Sequence, residues 1–494
     1  MAMKTKLSLA IFLFFLLALL CSNLAIAIGR EETDPELKTC IHQCKQQRQY
    51  DEEDKGICMD KCEDYHRMKQ EREKRQHQHQ REHEHQHERE HEHEEDENPY
   101  VFEDRDFETK IDTDDGRVMA LNMFDQKSKL LRNFENYGLT ILEAKGHAFV
   151  SPHHFDSEVI FFNVKGRGII GLVMEDKTER FNLEAGDIMR VPAGTPMYLV
   201  NRDENEKLFV AALHMPPSSA SAPVNLEAFF GPAGRDPESV LTAFSSKVLQ
   251  AAFKSPKGKL ESFLDEQNKG RIFKIQKEDL SGLAPKKSIW PFGGQFKNPF
   301  NIFSNNPAFS NQFGSLFEVG PSEITSGLDG LNLMLTFANI TKGSMSTIYY
   351  NTNANKIALV IDGEGEFEMA CPHMSSSSSH SKQRRSSSTS YQKINARLRP
   401  GTVFVVPAGH PFVTIASKNN NLKIVCFEVN AQRNKKLAFA GKNNIVSALD
   451  KTAKKLAFDK SAEKVDEIFK RDEEFFFPYD VEDESKEEHG RADE

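Results

Sequence analysis

The chain has 494 residues, 64 Lys and Arg against 74 Asp and Glu, and a formal charge of −10 at neutral pH. That length holds two hydrophobic cores with several appendages. The acidic balance argues against a nucleic-acid surface. Lys4 and Lys6 precede an apolar run from Leu7 to Cys21, and Ala25-Ile26-Ala27 fits a small-residue cleavage site. A run of about 15 residues is shorter than the ~20 a spanning helix needs. Residues 1–27 therefore read as a secretory signal peptide, and the mature form is expected to carry no membrane segment. Secretory entry permits disulfides and N-glycans.

Residues 28–75 carry Cys40-x3-Cys44 and Cys58-x3-Cys62. Residues i and i+4 share one helix face, so two disulfides could staple two short helices. A zinc ion held by four thiolates is the rival, which the wide spacing and the secretory route disfavour. Residues 76–98 follow, with His77, His79, His83, His85, His87, His91 and His93 among Gln, Glu and Arg. This composition cannot build a core. It reads as a solvated, nitrogen-rich spacer, with loose binding of divalent metals as the alternative.

The remainder contains one pattern twice. Lys145-Gly146 returns as Lys342-Gly343, and Gly166-x-Gly168 as Gly363-x-Gly365, both at one offset. Gly186-Asp-Ile-Met-Arg-Val-Pro-Ala-Gly194 returns at a larger offset as Gly401-Thr-Val-Phe-Val-Val-Pro-Ala-Gly409. The jump falls at a Ser-rich stretch, Ser375 to Tyr391, which reads as a surface-loop insert. A duplicated domain is the consequence. Alternating Ile, Val and Phe in 158–172 and 356–369 predict strands. Gly-x-Gly between two such runs predicts a hairpin turn, and the whole a sandwich or barrel. Pro192 and Pro407 stand where a strand leaves a turn.

The first copy spans residues 99–268, as a barrel from Tyr100 to Met215 and a helical section from Asn225 to Gln267. Residues 269–312 read as an extended linker holding Trp290, the single Trp. The second copy spans residues 313–471 and ends in a helical section from Leu437 to Lys470. An acidic tail, 472–494, closes the chain. The two helical sections align at Ala252-Phe253 with Ala457-Phe458, and at Leu260 and Phe263 with Val465 and Ile468. Such stripes stay exposed unless another surface covers them.

These motifs resemble those of the cupin family. Gly186, Pro192, Gly194 and Asn201 fit its second motif, but Met197 stands where the family has His. In the second copy Phe412 and Ala416 replace that motif's His and Asn. For the first motif, Tyr349, Asn351 and Lys356 occupy the three ligand positions. Pro152, His154 and Glu158 come nearest in the first copy. A Lys at the carboxylate position repels a cation, so the resemblance implies retained scaffolds with degenerate cupin sites. With the His-rich leader, Asn98-Pro-Tyr-Val-Phe and Glu473-Glu-Phe-Phe-Phe-Pro, the chain resembles the vicilins, 7S plant seed storage globulins.

The resemblance implies a mainly β bicupin: two jelly-roll barrels, each followed by a helical arm, after a disulfide-linked helical hairpin. It implies a homotrimer clamped by the arms, storage of nutrient rather than catalysis, and delivery to a seed protein storage vacuole. It also likens the Cys-paired segment to helical-hairpin peptides of some vicilin precursors, which are antimicrobial or inhibit proteases.

Chemistry could survive at one place. Cys371 and His373 lie at strand spacing i, i+2 and face one side. His410 lies in the motif that pairs with theirs. Thiolate with two imidazoles suits copper, with zinc as the alternative, better than manganese. The family resemblance adds Tyr100 as fourth ligand. A Cys371–Cys426 disulfide is the rival. Asn339-Ile340-Thr341 is one glycosylation sequon. Two other functions remain open at this point. One is a metal-dependent redox enzyme of superoxide-scavenging or oxidase type at the Cys/His centre. The other is a binding module that holds a small anion in a barrel, at Lys356 or His154.

Overall fold

The computed structural model describes residues 35–46, 55–64, 67, 98–122, 124–174, 177–215, 227–229, 239–256, 259–265, 269–285, 296–323, 326–371 and 391–479. The signal peptide, the His tract, Trp290, His373, most of the Ser-rich insert and the end of the tail lie outside them.

The described part of one compact unit is a pair of helices, Pro35–Gln46 and 55–64. Cys40 is bonded to Cys62 and Cys44 to Cys58. The i, i+4 spacing puts both sulfurs of each helix on the facing side. With the sulfurs bonded in pairs, four thiolates on zinc are excluded. Among the described residues, the hydrophobic side chains of Leu37, Ile41 and Met59 pack against this sulfur cluster. A core that small needs covalent closure.

The second unit holds the two barrels. In the first barrel one sheet runs Asp187–Val191, Glu158–Lys165, Leu208–Met215, Gly138–Ala144, Gly116–Asn122, Glu108–Thr113. The opposing sheet is built on Ala148–Phe155, Met197–Asn201, Gly168–Val173 and Thr178–Leu183. All these pairs are antiparallel. Their inward faces make one apolar core, with Val159, Phe161, Ile170, Leu172, Met189 and Leu199 among its members. The second barrel repeats this plan on Val403–Val406, Asn355–Asp362, Leu422–Val429, Leu333–Ile340 and Gly314–Val319, facing a sheet built on Gly365–Cys371, Gln392–Leu398 and Phe412–Ala416. The expected mainly β, two-barrel class is what the chain forms.

The Gly-x-Gly turns are not hairpins. Glu158–Lys165 and Gly168–Val173 belong to opposite sheets, as do Asn355–Asp362 and Gly365–Cys371. Gly166 and Gly363 therefore turn the corner of the jelly roll. Both have φ of +81°, and a Cβ would lie 2.5 Å from the Lys207 carbonyl oxygen and 1.8 Å from that of Asn421. Glycine is required there for conformation and for space.

The barrels also exchange edge strands. Val101–Phe102, which precedes the first barrel, pairs with Val403–Val406 of the second. Phe300–Asn301, from the supposed linker, pairs with Asp187–Val191 of the first. The same span gives Ile272–Lys274 to the first barrel and Phe309–Asn311 to the second. Residues 269–312 thus build the barrels as well as join them. Likewise Phe476–Pro478, at the start of the expected acidic tail, is a strand paired with Ser344–Ser346.

Each barrel is followed by two short helices, Ser246–Phe253 and Lys259–Asp265, then Lys451–Phe458 and Ala462–Phe469. Ser245, Asp450 and Ser461 cap three of them by accepting backbone N–H groups. Inside the second arm Lys454 is buried and reaches Asp466 at 2.7 Å. Much of the arms' apolar surface remains uncovered, including Phe244, Val248, Phe253, Phe263, Leu456 and Ile468.

Candidate functional sites in the two barrels

The second barrel carries charge at its centre. Lys356 and Glu428 face each other across neighbouring strands and are 2 % and 0 % exposed. Lys356 Nζ donates to Glu428 Oε1 at 2.7 Å, and Lys436 Nζ to Glu428 Oε2 at 3.1 Å. Lys436 also meets Glu318 at 2.8 Å. The two ammoniums and two carboxylates balance. Tyr349 and Phe412 flank Lys356, with ring centroids 5.9 and 5.6 Å from Nζ. Burial pushes the Glu428 carboxyl up, but the Lys356 and Lys436 ammoniums overcome it and hold it at about 2. Burial opposes the charge on Lys356, while Cys426, Glu428 and Tyr349 raise its pKa well above the usual lysine value. Burial drives the Tyr349 phenol up to about 12.

The first barrel carries a neutral imidazole at the equivalent place. His214 takes the position of Glu428, and Thr140 that of Thr336, by strand register. His214 Nε2 lies 2.8 Å from Thr140 Oγ1, and Nδ1 lies 3.1 Å from Ser157 Oγ. Phe155 packs edge-on against the ring at 4.7 Å. Burial, with the nearby His153, pulls the imidazole down to about 3. It is uncharged at neutral pH.

Register corrects one assignment. Val159, opposite His214, corresponds to Lys356, opposite Glu428. Glu158, named above as the nearest first-copy candidate, is instead ion-paired with Arg190 on the neighbouring strand. Pro152 and His154 stand on Ala148–Phe155, in the opposing sheet.

A third cluster lies where the exchanged strand meets the second barrel. Tyr100 Oη is 3.3 Å from Cys371 Sγ, and both residues are 0 % exposed. The His410 ring, 4 % exposed, is centred 6.4 Å from the Tyr100 ring. Strand exchange produces this meeting: Tyr100 immediately precedes Val101–Phe102, and its carbonyl accepts from Val405 N–H at 2.9 Å. His373 lies outside the described residues. Cys371 and Cys426 are free thiols, so the rival Cys371–Cys426 disulfide is overturned. Cys426 pairs across strands with Thr336, and burial raises its thiol pKa. Asn339 sits within Leu333–Ile340, half-buried, between Gly314–Val319 and Leu422–Val429.

The Lys–Glu cluster and the exchanged strands were not foreseen. A Glu in the otherwise apolar run from Ile424 to Val429 was the available signal for the first. Asn98-Pro99-Tyr100 recurring as Asn298-Pro299-Phe300 was the signal for the second.

Comparison with known proteins places this architecture. A family model described as Cupin matches residues 110–255 and 300–466. A protein of Glycine max called sucrose-binding protein is 58 % identical, over 99 % of each chain. A vicilin of Juglans regia is 49 % identical over 97 % of each. The crystal structure of Corylus avellana vicilin superposes with a TM-score of 0.70 at 48 % identity, covering 78 % of this chain and all of that one. A Solanum melongena vicilin, in which different anionic ligands occupy structurally similar pockets, gives 0.72 at 32 % identity, covering 79 % of this chain and all of that one. With two matched cupin domains and near-full-length vicilin relatives, the chain belongs to the vicilins, the 7S seed storage globulins of the cupin superfamily.

Proposed function

We propose that this storage globulin works as a homotrimer with degenerate cupin sites and one copper site in its second barrel. The observation that carries the degenerate reading is the Lys356–Glu428 pair. A buried ammonium occupies the position where cupin metal centres place a carboxylate. The trimer reading rests on the arms: Leu456 and Ile468 are 79 % and 74 % exposed, and such apolar stripes mark assembly surfaces. Light scattering at neutral pH and moderate salt should find three copies, and a monomer would end that reading. Among the described residues no helix is long and apolar enough to cross a membrane. The leader and the storage relatives support a secretory route ending in the storage vacuole, along which the sequon at Asn339 would meet the glycosylation machinery.

For the copper site, Cys371, His373 and His410 would hold the ion, with Tyr100 as fourth partner. The donors fit: a buried thiol, a phenol in contact with it and an adjacent imidazole form a soft, nitrogen- and sulfur-containing set that suits copper, or zinc, over manganese. Metal analysis of the chain stripped of its His77–His93 tract tests this. Wild type should retain copper, and Cys371→Ser and His373→Ala should lose most of it. Equal content in all three would remove the site and leave the storage role intact.

A second reading concerns small ligands. The Solanum melongena relative holds anions and the Glycine max relative is named for sucrose. Lys356 is an unfavourable anion site, because Glu428 already neutralises it. His154 stands on the same strand as His153, and Arg271 stacks over Phe229 at 4.4 Å beside His153. The first barrel therefore suits a small anion better. A groove of about 1260 Å³, lined by Glu103, Arg105, Glu366, Arg397, Arg399 and Tyr479 among others, suits a polyhydroxylated ligand. Calorimetric titration with acetate and with sucrose tests both.

A further inference from the structure

The contact between Tyr100 and Cys371 is more than a pair of neighbouring ligands. We propose that these side chains join covalently, through a thioether between Cys371 Sγ and the ring carbon of Tyr100 ortho to its hydroxyl. The inference rests on the copper reading above.

Three observations carry it. First, Oη and Sγ are 3.3 Å apart in a site where both residues are fully buried. The two ring carbons ortho to the hydroxyl flank the carbon that bears it. Those carbons hold the unpaired spin when a phenol loses one electron. Second, both partners are held in place. Tyr100 is fixed through its backbone, with its N–H donating to Asn98 Oδ1 at 3.0 Å and its carbonyl accepting from Val405. Cys371 ends the strand Gly365–Cys371, paired with Gln392. Fixed reactants turn a bimolecular coupling into a unimolecular one. Third, burial keeps external thiols away. An accessible cysteine would be diverted to a mixed disulfide or a sulfinic acid.

The reaction balances with dioxygen as the oxidant. The Cys371 S–H bond and one ortho C–H bond of Tyr100 break, and the C–S bond forms. Two electrons and two protons leave with dioxygen as hydrogen peroxide. Bound copper would supply the one-electron steps that spin-paired thiol and phenol cannot make with dioxygen directly. The product ties residues 271 positions apart. It fastens the exchanged N-terminal strand to the second barrel, and a bridge closing so long a loop restricts the unfolded chain strongly.

The test uses the full chain, purified reduced, metal-free and without oxygen, then given a copper(II) salt and air. After desalting, metal content, intact mass and a tryptic map of the reduced and alkylated protein are measured. The expected result is copper retained beyond that held by Cys371→Ser and, with the two hairpin disulfides reduced before weighing, a mass lower by two hydrogen atoms than that of the sample kept from air. The Tyr100 and Cys371 peptides should run as one species that thiols do not separate. Omitting air, or substituting Tyr100→Phe or Cys371→Ser, should leave them separate. Tyr100→Phe keeps the backbone pairing and the ring volume, so its fold is checked by an unchanged thermal transition in the metal-free state. Retained copper with separate peptides overturns the thioether and leaves the metal reading standing. No retained copper overturns the metal reading, and this inference with it. A link that reductant cleaves is a disulfide and also overturns it.

Discussion

The two barrels share a fold, a strand register and a set of glycine corners, yet they fill the same interior position in opposite ways. At the position shared by His214 and Glu428, the first barrel buries an uncharged imidazole between two hydroxyls. The second buries a carboxylate clamped by two ammoniums. Desolvation is met by neutralisation in one case and by charge pairing in the other. The lesson is that a jelly roll fixes where a polar group can sit in its core, while the neighbouring side chains decide how that group is made tolerable. Val159 leaves His214 without a charged neighbour on the facing strand, and Lys356 supplies one to Glu428.

This contrast can be broken most forcefully at Lys356. Lys356→Met leaves Glu428 with Lys436 as its one ammonium partner and only long contacts from Thr336 and Asn351, and should cost about 3–5 kcal/mol, because half of a buried ion pair is worse than none. The double change Lys356→Met with Glu428→Leu should recover most of that loss, since Lys436 and Glu318 still pair with each other. Guanidinium unfolding monitored on the second barrel checks both. A double variant as unstable as the single one would mean that the charges themselves, and not their balance, hold the barrel together.

The backbone devices should behave alike in both barrels. Gly166→Ala and Gly363→Ala each put a Cβ against a carbonyl oxygen at positive φ, and each should cost roughly 3 kcal/mol. Thermal unfolding of the pair tests the equivalence of the two corners.

Acid should separate the barrels next. His214 has a pKa depressed from 6.5 to about 3, so the unfolded state takes up the proton first. Stability falls as pH drops from 6.5 toward 3, by about 2 kcal/mol between pH 8 and pH 5. Glu428, depressed from 4.5 to about 2, gives stability that is full above 4.5 and is lost only as pH falls toward 2. The first barrel should therefore weaken at mildly acid pH while the second does not. In His214→Leu that slope between pH 8 and pH 5 should vanish in denaturation midpoints taken against pH. The smallest effect belongs to Gly194→Ala and Gly409→Ala. They keep positive φ but meet nothing within 4 Å, so each should cost about 1 kcal/mol in the same unfolding measurements.

Much of the scaffold was legible because repetition shows in the residues themselves. The constant offset of Lys145-Gly146 and Gly166-x-Gly168 with their second copies identified two like domains before any strand was placed. The Cys-x3-Cys pairs spoke for a stapled helix pair for the same reason, as helical spacing is local. What stayed hidden was pairing between distant segments. Gly-x-Gly looks the same whether the next strand returns beside the last or crosses to the other sheet. Nothing local says that Val101–Phe102 belongs to the far barrel. Lys356 was readable as the end of a metal site, but its partner Glu428 is defined only by register, and register also moved the first-barrel equivalent from Glu158 to Val159. Cys371, His410 and Tyr100 were named from spacing and family likeness. The backbone route that carries Tyr100 to Cys371 was not visible in either.

The exchanged strands also bear on how the chain is made. Val101–Phe102 is synthesised roughly 300 residues before its partner, tens of seconds ahead at ordinary elongation rates. During that interval the segment has no sheet to join, and the first barrel waits for Phe300–Asn301 to cover its own edge. Contacts so far apart in sequence make for slow folding, and an uncovered edge strand is a template for pairing with another chain. The compartment in which this globulin folds must therefore keep nascent copies apart until the second barrel is complete. Afterwards the same exchange works the other way. A cut in the connection between the barrels leaves each still holding a strand from the other side of the nick, so the nicked protein keeps its shape until both strands are pulled free.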